Sequence, residues 1–253
     1  MMRRAPPEVP PAWLVPAAFL LQASWNYERQ QGLGFGAAMA GAAAPLGLDG
    51  AEKPGFLRRH LRSFNTNPVM APWVIGVVAR LEADRARDGA PPAEEIDRLK
   101  TALSVHLARL GDSLVWTGIR PLASAVGIAL ALAGLSWGAA LAYWMFYNAV
   151  QVPLRVAGLS IGYGEGASVI ARLTSPRWNR WLAQIRTAGA AVAGVAAGLV
   201  AARTIEHGPA TARLTALAAI AAAVAVERWR GGATGVALLA LVGAAVLAAA
   251  GLR

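Results

Sequence analysis

The sequence predicts an all-α, polytopic membrane protein with amphipathic or re-entrant helices in its N-terminal part and a bundle of transmembrane helices in its C-terminal part. Apolar residues make up 56% of the 253 residues and charged residues only 15%, whereas soluble domains contain about 25% charged residues. The charges are also unevenly distributed, because the only acids after Pro121 are Glu165, Glu206 and Glu227. No segment shows the apolar/polar alternation of a half-buried strand.

The charge and the absence of cysteine limit the possible functions. The formal net charge is +10, but the basic residues flank apolar runs instead of clustering with aromatic residues, as a nucleic-acid groove requires. This pattern favours contact with anionic lipid, and we expect no nucleic-acid partner. Without cysteine there is no thiolate metal site or thiol nucleophile. We expect no metal, no other cofactor and no catalytic residue in this chain.

The first predicted domain, residues 1–120, contains short helices separated by turns. A proline-rich tail is followed by apolar residues too few to span a bilayer, which predicts a helix lying in the interface. Gly and Pro then mark the breaks between further helices. In chain order, we expect a tail at 1–11, an interfacial helix at 12–25, a glycine-rich helix ending before Pro45, a basic helix at 52–63, a helix opened by Pro72, and an amphipathic helix at 94–110.

The second predicted domain, residues 121–253, contains the membrane spans. The uncharged run 121–154 is 34 residues long, whereas a single span needs about 20. Its central glycines favour a hairpin or broken helix, although one long tilted helix also fits. Further spans are predicted at 187–203, 213–227 and 231–252. The arginine-rich linker 155–186 is the strongest candidate for a cytoplasmic segment.

Ionisable residues lie where the polar part meets the apolar part. Asp112 is flanked by Arg109 and Arg120, and an ionisable group beside an apolar span indicates a functional site. Two interpretations remain open for Asp112. It lines a translocation path, or it pairs with Arg109 or Arg120 in a structural ion pair.

Two polar segments upstream supply the other candidate residues. Asn26 can donate and accept hydrogen bonds and Glu28 can accept them from a polar substrate, whereas Arg29 or Arg109 can instead hold Glu28 in a structural ion pair. Asn65, Thr66 and Asn67 carry groups that both donate and accept hydrogen bonds, which suits the hydroxyl groups of a polar substrate. Alternatively, these three residues cap the helix that follows Pro68.

Five motifs together resemble a known family. They are SWNYERQQGLGF at 24–35, FNTNP at 64–68, KTALSVHLARLGDSLVW at 100–116, Arg120-Pro121, and IGYGEG at 161–166. In this order and spacing they resemble enzyme IID of the mannose/fructose/sorbose-family phosphotransferase system. The resemblance covers roughly residues 15–200.

The resemblance implies a non-catalytic, multi-pass subunit of the bacterial inner membrane. Such a subunit joins enzyme IIC in a hetero-oligomer that translocates a hexose, while the cytoplasmic enzyme IIB (IIAB) supplies the phosphoryl group. The chain departs from the family pattern at four positions where the family has Gly, Gly, Pro and Gly. These positions hold Ala102, Val105, His106 and Arg109. An alternative is therefore a transport-inactive regulatory or scaffold protein that retains the IID fold.

Overall fold

A computed structural model describes residues 12–48, 50, 52–132, 134–215 and 218, and this part of the chain is helical. Loops join the helices, and β-type pairing in the described residues is limited to two isolated bridges, Asn26 with Gln30 and Gln30 with Phe64. The helices are α1 (Leu14–Phe19), α2 (Gly32–Ala43), α3 (Glu52–His60), α4 (Ala71–Asp88), α5 (Ala93–Gly111), a π-helix (Asp112–Ile119), α6 (Arg120–Leu132), α7 (Ser136–Glu165), a 3₁₀ turn (Gly166–Ser168), α8 (Val169–Leu173) and α9 (Arg177–His207). The all-α prediction is confirmed.

One packed unit comprises the described residues up to Val115 together with Val150–Trp178. Its centre is α4, whose residues 71–79 are all buried. Pro72 fits the first turn of this helix, where its missing N–H leaves no hydrogen bond unmade. Because the N-terminal half of α4 is apolar on all sides, other helices can cover it completely. It packs against α1, α2, α5 and the 3₁₀ turn.

Glycines allow the end of α7 to lie directly on α4. A Cβ atom at Gly76 would lie 2.4 Å from the carbonyl oxygen of Leu159, and one at Gly158 would lie 2.1 Å from the indole nitrogen of Trp73. These distances are too short for any side chain, so the two helix backbones approach each other only because both positions lack one. Within the IGYGEG motif, a Cβ at Gly162 would likewise lie 2.5 Å from the carbonyl oxygen of Trp73, so this motif is a packing element in the unit.

The second unit comprises Trp116–Ala149 and the described residues from Asn179 onwards. Within it, the uncharged run breaks at Gly134, which has a φ of +94° and separates α6 from α7. Helix α7 then continues beyond Leu154 to Glu165, with Pro153 inside it. The predicted span at 187–203 lies within α9. The span at 231–252 and most of that at 213–227 lie outside the described residues, and the boundary at residue 120 stays a prediction.

Two boundaries differ from the sequence-based expectation. The N-terminal helix ends at Phe19 rather than near Trp25, and the expected linker 155–186 is largely helical. Among the described residues, one helical stretch is long and apolar enough to cross a membrane. It runs from Ala93 to Leu132 through α5, the π-helix and α6, with a mean hydropathy of 1.5 in its most apolar window.

Candidate functional site

The Asn65–Asn67 loop is fixed in place by buried hydrogen bonds around Thr66. The Thr66 backbone N–H donates to Gln31 Oε1 at 3.2 Å, and Gln31 Nε2 donates back to the Thr66 carbonyl at 2.8 Å. The Thr66 hydroxyl donates to the carbonyl of Ser104 in α5 at 2.8 Å. The loop between α3 and α4 is thereby tied to the start of α2 and to α5.

Asn67 is buried and uses both ends of its amide. Its Oδ1 accepts the backbone N–H of Val69 at 3.0 Å, and its Nδ2 donates to Asp112 Oδ1 at 3.0 Å. Its own carbonyl accepts the N–H groups of Met70 and Ala71, both at 2.9 Å. Asn67 therefore stabilises the turn that precedes α4 and also contacts Asp112, whereas the N-cap residue of α4 is Met70, which makes no side-chain capping hydrogen bond.

Asp112 lies at the junction between α5 and the π-helix. The backbone needs Gly111 immediately before it, because a Cβ at Gly111 would lie 2.4 Å from the Cβ of Asn67. A π-helix is wider than an α-helix and occurs frequently at functional sites. The Asp112 side chain is exposed, and its Oδ2 makes no hydrogen bond within the described part of the chain. One carboxylate oxygen is thus oriented by Asn67 and the other is available.

Arg109 does not neutralise Asp112. Arg109 is exposed and forms no ion pair with any described residue, and the Arg120 guanidinium lies 5.3 Å from the centroid of the Trp116 ring. Within the first unit, Asp112 makes its side-chain hydrogen bond with the amide of Asn67 and forms no ion pair with Arg109, while its pairing with Arg120 stays a prediction. This arrangement leaves a partly exposed carboxylate beside an amide.

The Trp25–Gln31 loop carries the other predicted residues. Asn26 Oδ1 accepts the N–H of Arg29 at 2.8 Å, and the backbones of Asn26 and Gln30 are hydrogen-bonded in both directions. Gln30 has a φ of +54°, a left-handed conformation that is rare outside glycine. The side chain of Glu28 is 82% exposed and 3.6 Å from Arg29, whose side chain is 43% exposed. Such an exposed ion pair contributes little stability.

Backbone hydrogen bonds join this loop to the FNTNP motif. The N–H of Gln31 donates to the carbonyl of Phe64 at 2.9 Å, and the N–H of Phe64 donates to the carbonyl of Arg29 at 3.3 Å. Asn26, Arg29, Thr66 and Asn67 therefore belong to one connected framework. Asn65 is exposed at its surface. No described contact joins Glu28 to Asp112, so the structure does not bring all the predicted residues together.

Two buried groups escaped the sequence analysis. The Nζ of Lys100 lies 4.0 Å from the ring centroid of Phe35 and 5.5 Å from that of Phe64, so its charge is stabilised by aromatic faces. Lys100 is 5% exposed and forms no ion pair with the described residues. In the sequence, the only indication was that Lys100 lies in the third family-like motif, because cation–π contacts between distant segments leave no pattern in the sequence.

The second missed group is a buried cluster at the contact between α3 and α4. Glu82 Oε1 lies 3.0 Å from His60 Nε2 and 2.9 Å from Arg59, and Oε2 lies 3.9 Å from Arg85. Burial lowers the pKa of His60, although the hydrogen bond to Glu82 opposes this. Burial acts to raise the pKa of Glu82, but the hydrogen bond with His60 and the charges of Arg59 and Arg85 hold it below its ordinary value. At neutral pH the cluster thus contains a carboxylate, a neutral imidazole that donates from Nε2, and two guanidinium groups.

Comparison with known proteins places these motifs in a family. Residues 12–235 match the model of the PTS system mannose/fructose/sorbose family IID component. The chain belongs to this family. The IID chain is 37% identical over 176 residues to the sorbose-specific EIID component of Klebsiella pneumoniae, with 70% of the chain and 62% of that relative covered. It is 35% identical over 152 residues to the mannose-specific EIID component of Escherichia coli (strain K12), with 60% and 53% covered.

Solved structures agree with the family assignment. The IID chain aligns with a chain of the cryo-EM structure of the mannose transporter ManYZ in complex with microcin E492, with a TM-score of 0.58 and 30% identity, covering 73% of this chain and 67% of that one. A second structure, described as that of a membrane protein, gives a TM-score of 0.66 at 30% identity. The resemblance to enzyme IID is confirmed, and the IID chain is a membrane protein. It spans less than two thirds of the length of the two EIID relatives above.

Proposed function

We propose that this chain is a membrane subunit of a mannose-type sugar phosphotransferase permease. It spans the bacterial inner membrane several times and forms the hexose translocation unit with an enzyme IIC subunit, and enzyme IIB supplies the phosphoryl group. Family membership supports this, since the relatives are named as sugar-specific EIID components and one matching structure is a mannose transporter. Those names do not favour the alternative of a transport-inactive scaffold.

The observation that carries the proposal is the contact between Asn67 and Asp112. Both residues lie in motifs, FNTNP and LGD, that are 45 positions apart in the chain. The contact leaves one oxygen of an exposed carboxylate free to accept hydrogen bonds. Sugar hydroxyl groups donate such bonds, and bonds to a charged group are stronger than those between neutral groups. The π-helix that begins at Asp112 widens the backbone where the apolar stretch starts.

The remaining candidate residues have different roles in this proposal. Asn65 and Glu28 are exposed and can contact the sugar or the IIC subunit directly. The polar side-chain atoms of Asn26 bond the backbone of its own loop, and the Thr66 hydroxyl bonds the backbone of α5, so both residues contribute by holding their loops in position. Arg29 serves the same framework through its backbone, whereas Arg109 and Arg120 remain available to the partner subunit or to lipid.

The test is uptake-coupled phosphorylation of hexoses by membrane vesicles that contain this chain with its IIC partner and phosphorylated IIB. Asp112→Asn keeps the size of the side chain and removes its charge. A hydrogen bond to a charged group is worth about 1.5–3 kcal/mol, so we expect phosphorylation at low sugar concentration to fall roughly ten- to hundredfold. Asp97→Asn is the matched control, because Asp97 is on the same helix and pairs with Arg62 at the surface.

A set of outcomes would contradict the proposal. If Asp112→Asn and Asn67→Ala both transport at the rate of Asp97→Asn, the pair is not part of the sugar path. If no hexose is phosphorylated by the unmodified complex although IIC and IIB are active with another IID chain, the scaffold interpretation replaces the transport function.

A further inference from the structure

An open cavity lies between α5 and α8, within the first packed unit. Its volume is about 180 Å³, and it is lined from α5 by Leu99, Ala102 and His106, and from the other side by Ile170, Leu173 and Thr174. The lining is almost entirely carbon. The hydroxyl of Thr174 donates to the carbonyl of Ile170 at 3.0 Å, so it is not directed at a ligand. Neither Asn67 nor Asp112 borders this cavity.

The size and chemistry of the cavity suit a segment of hydrocarbon chain. An apolar cavity of about 150 Å³ stays dry and binds benzene, so the present volume can hold several methylene groups. The cavity is open to the surface, whereas a packing defect in a core is enclosed. Because the IID chain is a membrane protein, lipid acyl chains are the apolar groups present at the highest concentration around it.

The residues that follow the cavity carry positive charge without a matching acid. Arg177 comes three positions after Thr174, so its Cα lies within about 11 Å of that residue. The first turn of α9 contains Arg177 and Arg180 but none of the acidic residues that the positive N-terminal end of a helix favours. The guanidinium of Arg177 is exposed and makes no hydrogen bond or ion pair in the described part of the chain. By contrast, Arg172 is already paired with Glu165.

We propose that the α5–α8 cavity binds one acyl chain of an anionic phospholipid whose headgroup phosphate is bound by Arg177. The apolar cavity supplies the site for the chain, and the adjacent unpaired arginine selects an anionic over a zwitterionic headgroup. Trp178 follows Arg177 and donates its indole N–H to the carbonyl of Arg172 at 3.2 Å, which fixes the turn between the cavity and α9. Tryptophan is the residue type most enriched at the level of lipid headgroups. This site does not depend on sugar transport.

The experiment measures lipid binding to the full chain, purified with its partner subunit and stripped of lipid. Phosphatidylglycerol and phosphatidylcholine with identical acyl chains are titrated separately and counted by native mass spectrometry. We expect phosphatidylglycerol to bind about tenfold more tightly. Ala102→Phe fills the cavity from the exposed face of α5 and should weaken both lipids by roughly tenfold. Thr101→Phe, on the neighbouring exposed position outside the cavity, should change binding by less than about twofold.

Arginine variants test the headgroup. Arg177→Gln should abolish the preference for phosphatidylglycerol and leave phosphatidylcholine binding unchanged, while Arg186→Gln, further along α9, should leave the preference intact. Unchanged thermal unfolding of Ala102→Phe establishes that its fold is retained. Equal binding of the two lipids, or unchanged binding by Ala102→Phe, overturns the proposal. So does release of the partner subunit by Ala102→Phe without loss of lipid, since a side chain of the partner would then occupy the cavity.

Discussion

The buried cluster around Glu82 allows a stability prediction whose size follows from its geometry. Glu82→Gln keeps the volume and one acceptor oxygen, so it opens no cavity, but it removes the negative charge and replaces the other acceptor oxygen by an N–H donor. That charge is 1% exposed and lies within hydrogen-bonding distance of His60 and Arg59. Removing one partner from a buried ion pair costs about 3–5 kcal/mol, because the other charge is left without compensation. In a protein of this length the unfolding midpoint should fall by roughly 6–20 °C, at about 2–4 °C per kcal/mol.

Thermal unfolding of the purified chain in detergent, followed by tryptophan fluorescence, measures this change. Asp88→Asn serves as the control, because Asp88 pairs with Arg87 on the exposed end of the same helix, α4, and should shift the midpoint very little. Equal midpoints for the two variants would refute the reasoning, because they would show that the buried charge of Glu82 stabilises the fold no more than the exposed charge of Asp88.

Three further predictions follow from the same contacts. Gly111→Ala places a Cβ 2.4 Å from that of Asn67, so it should destabilise the chain by about 1–3 kcal/mol and reduce sugar phosphorylation. The control Gly164→Ala has open space around it and should retain phosphorylation. Equal activities of the two variants would contradict this prediction. Thr66→Val removes the 2.8 Å hydrogen bond to α5 and should lower the free energy of unfolding by about 0.5–1.5 kcal/mol in denaturant titrations. Burial lowers the pKa of His60, so on acidification the unfolded chain binds more protons than the folded chain. The free energy of unfolding should therefore fall between pH 6.5 and pH 5. A His60→Gln variant whose stability has the same pH dependence would contradict this prediction.

The sequence predicted the helical fold well because its strongest signals are local. Pro72 predicted the first turn of α4, and the amphipathic helix predicted at 94–110 corresponds to α5, in which Ile96, Leu103 and Leu107 are buried. Helix boundaries were predicted less accurately where a helix and the loop that follows it could both include the same residues. Helix α1 ends at Phe19, and the loop that follows it pairs with Phe64 through Arg29 and Gln31, which are 35 and 33 positions away in the chain.

The candidate site was only partly predictable for the same physical reason. Asp112 and Asn67 were chosen separately, from charge beside an apolar run and from amide chemistry, but nothing in the sequence indicated that they meet. The Asn67–Asp112 contact depends on Gly111, whose missing side chain lets α5 approach the loop. Similarly, His60 and Glu82 are 22 positions apart, and neither position looks exceptional until α3 and α4 are packed together.

The positions of α5 that depart from the family pattern differ in burial from those that match it. The positions that match the family include buried residues on the face that contacts α4 and the Asn67 loop, namely Lys100, Leu103, Leu107 and Gly111. The positions that depart from it are all exposed, namely Ala102, Val105, His106 and Arg109. Residues spaced at i, i+3, i+4 and i+7 lie on one side of a helix, so the four substitutions alter a single outer stripe. They leave Gly111 and the Asn67–Asp112 contact unchanged. Because the buried inner face packs the fold, its retention is expected whether or not the chain transports sugar, and the four substitutions change only the exposed surface of α5.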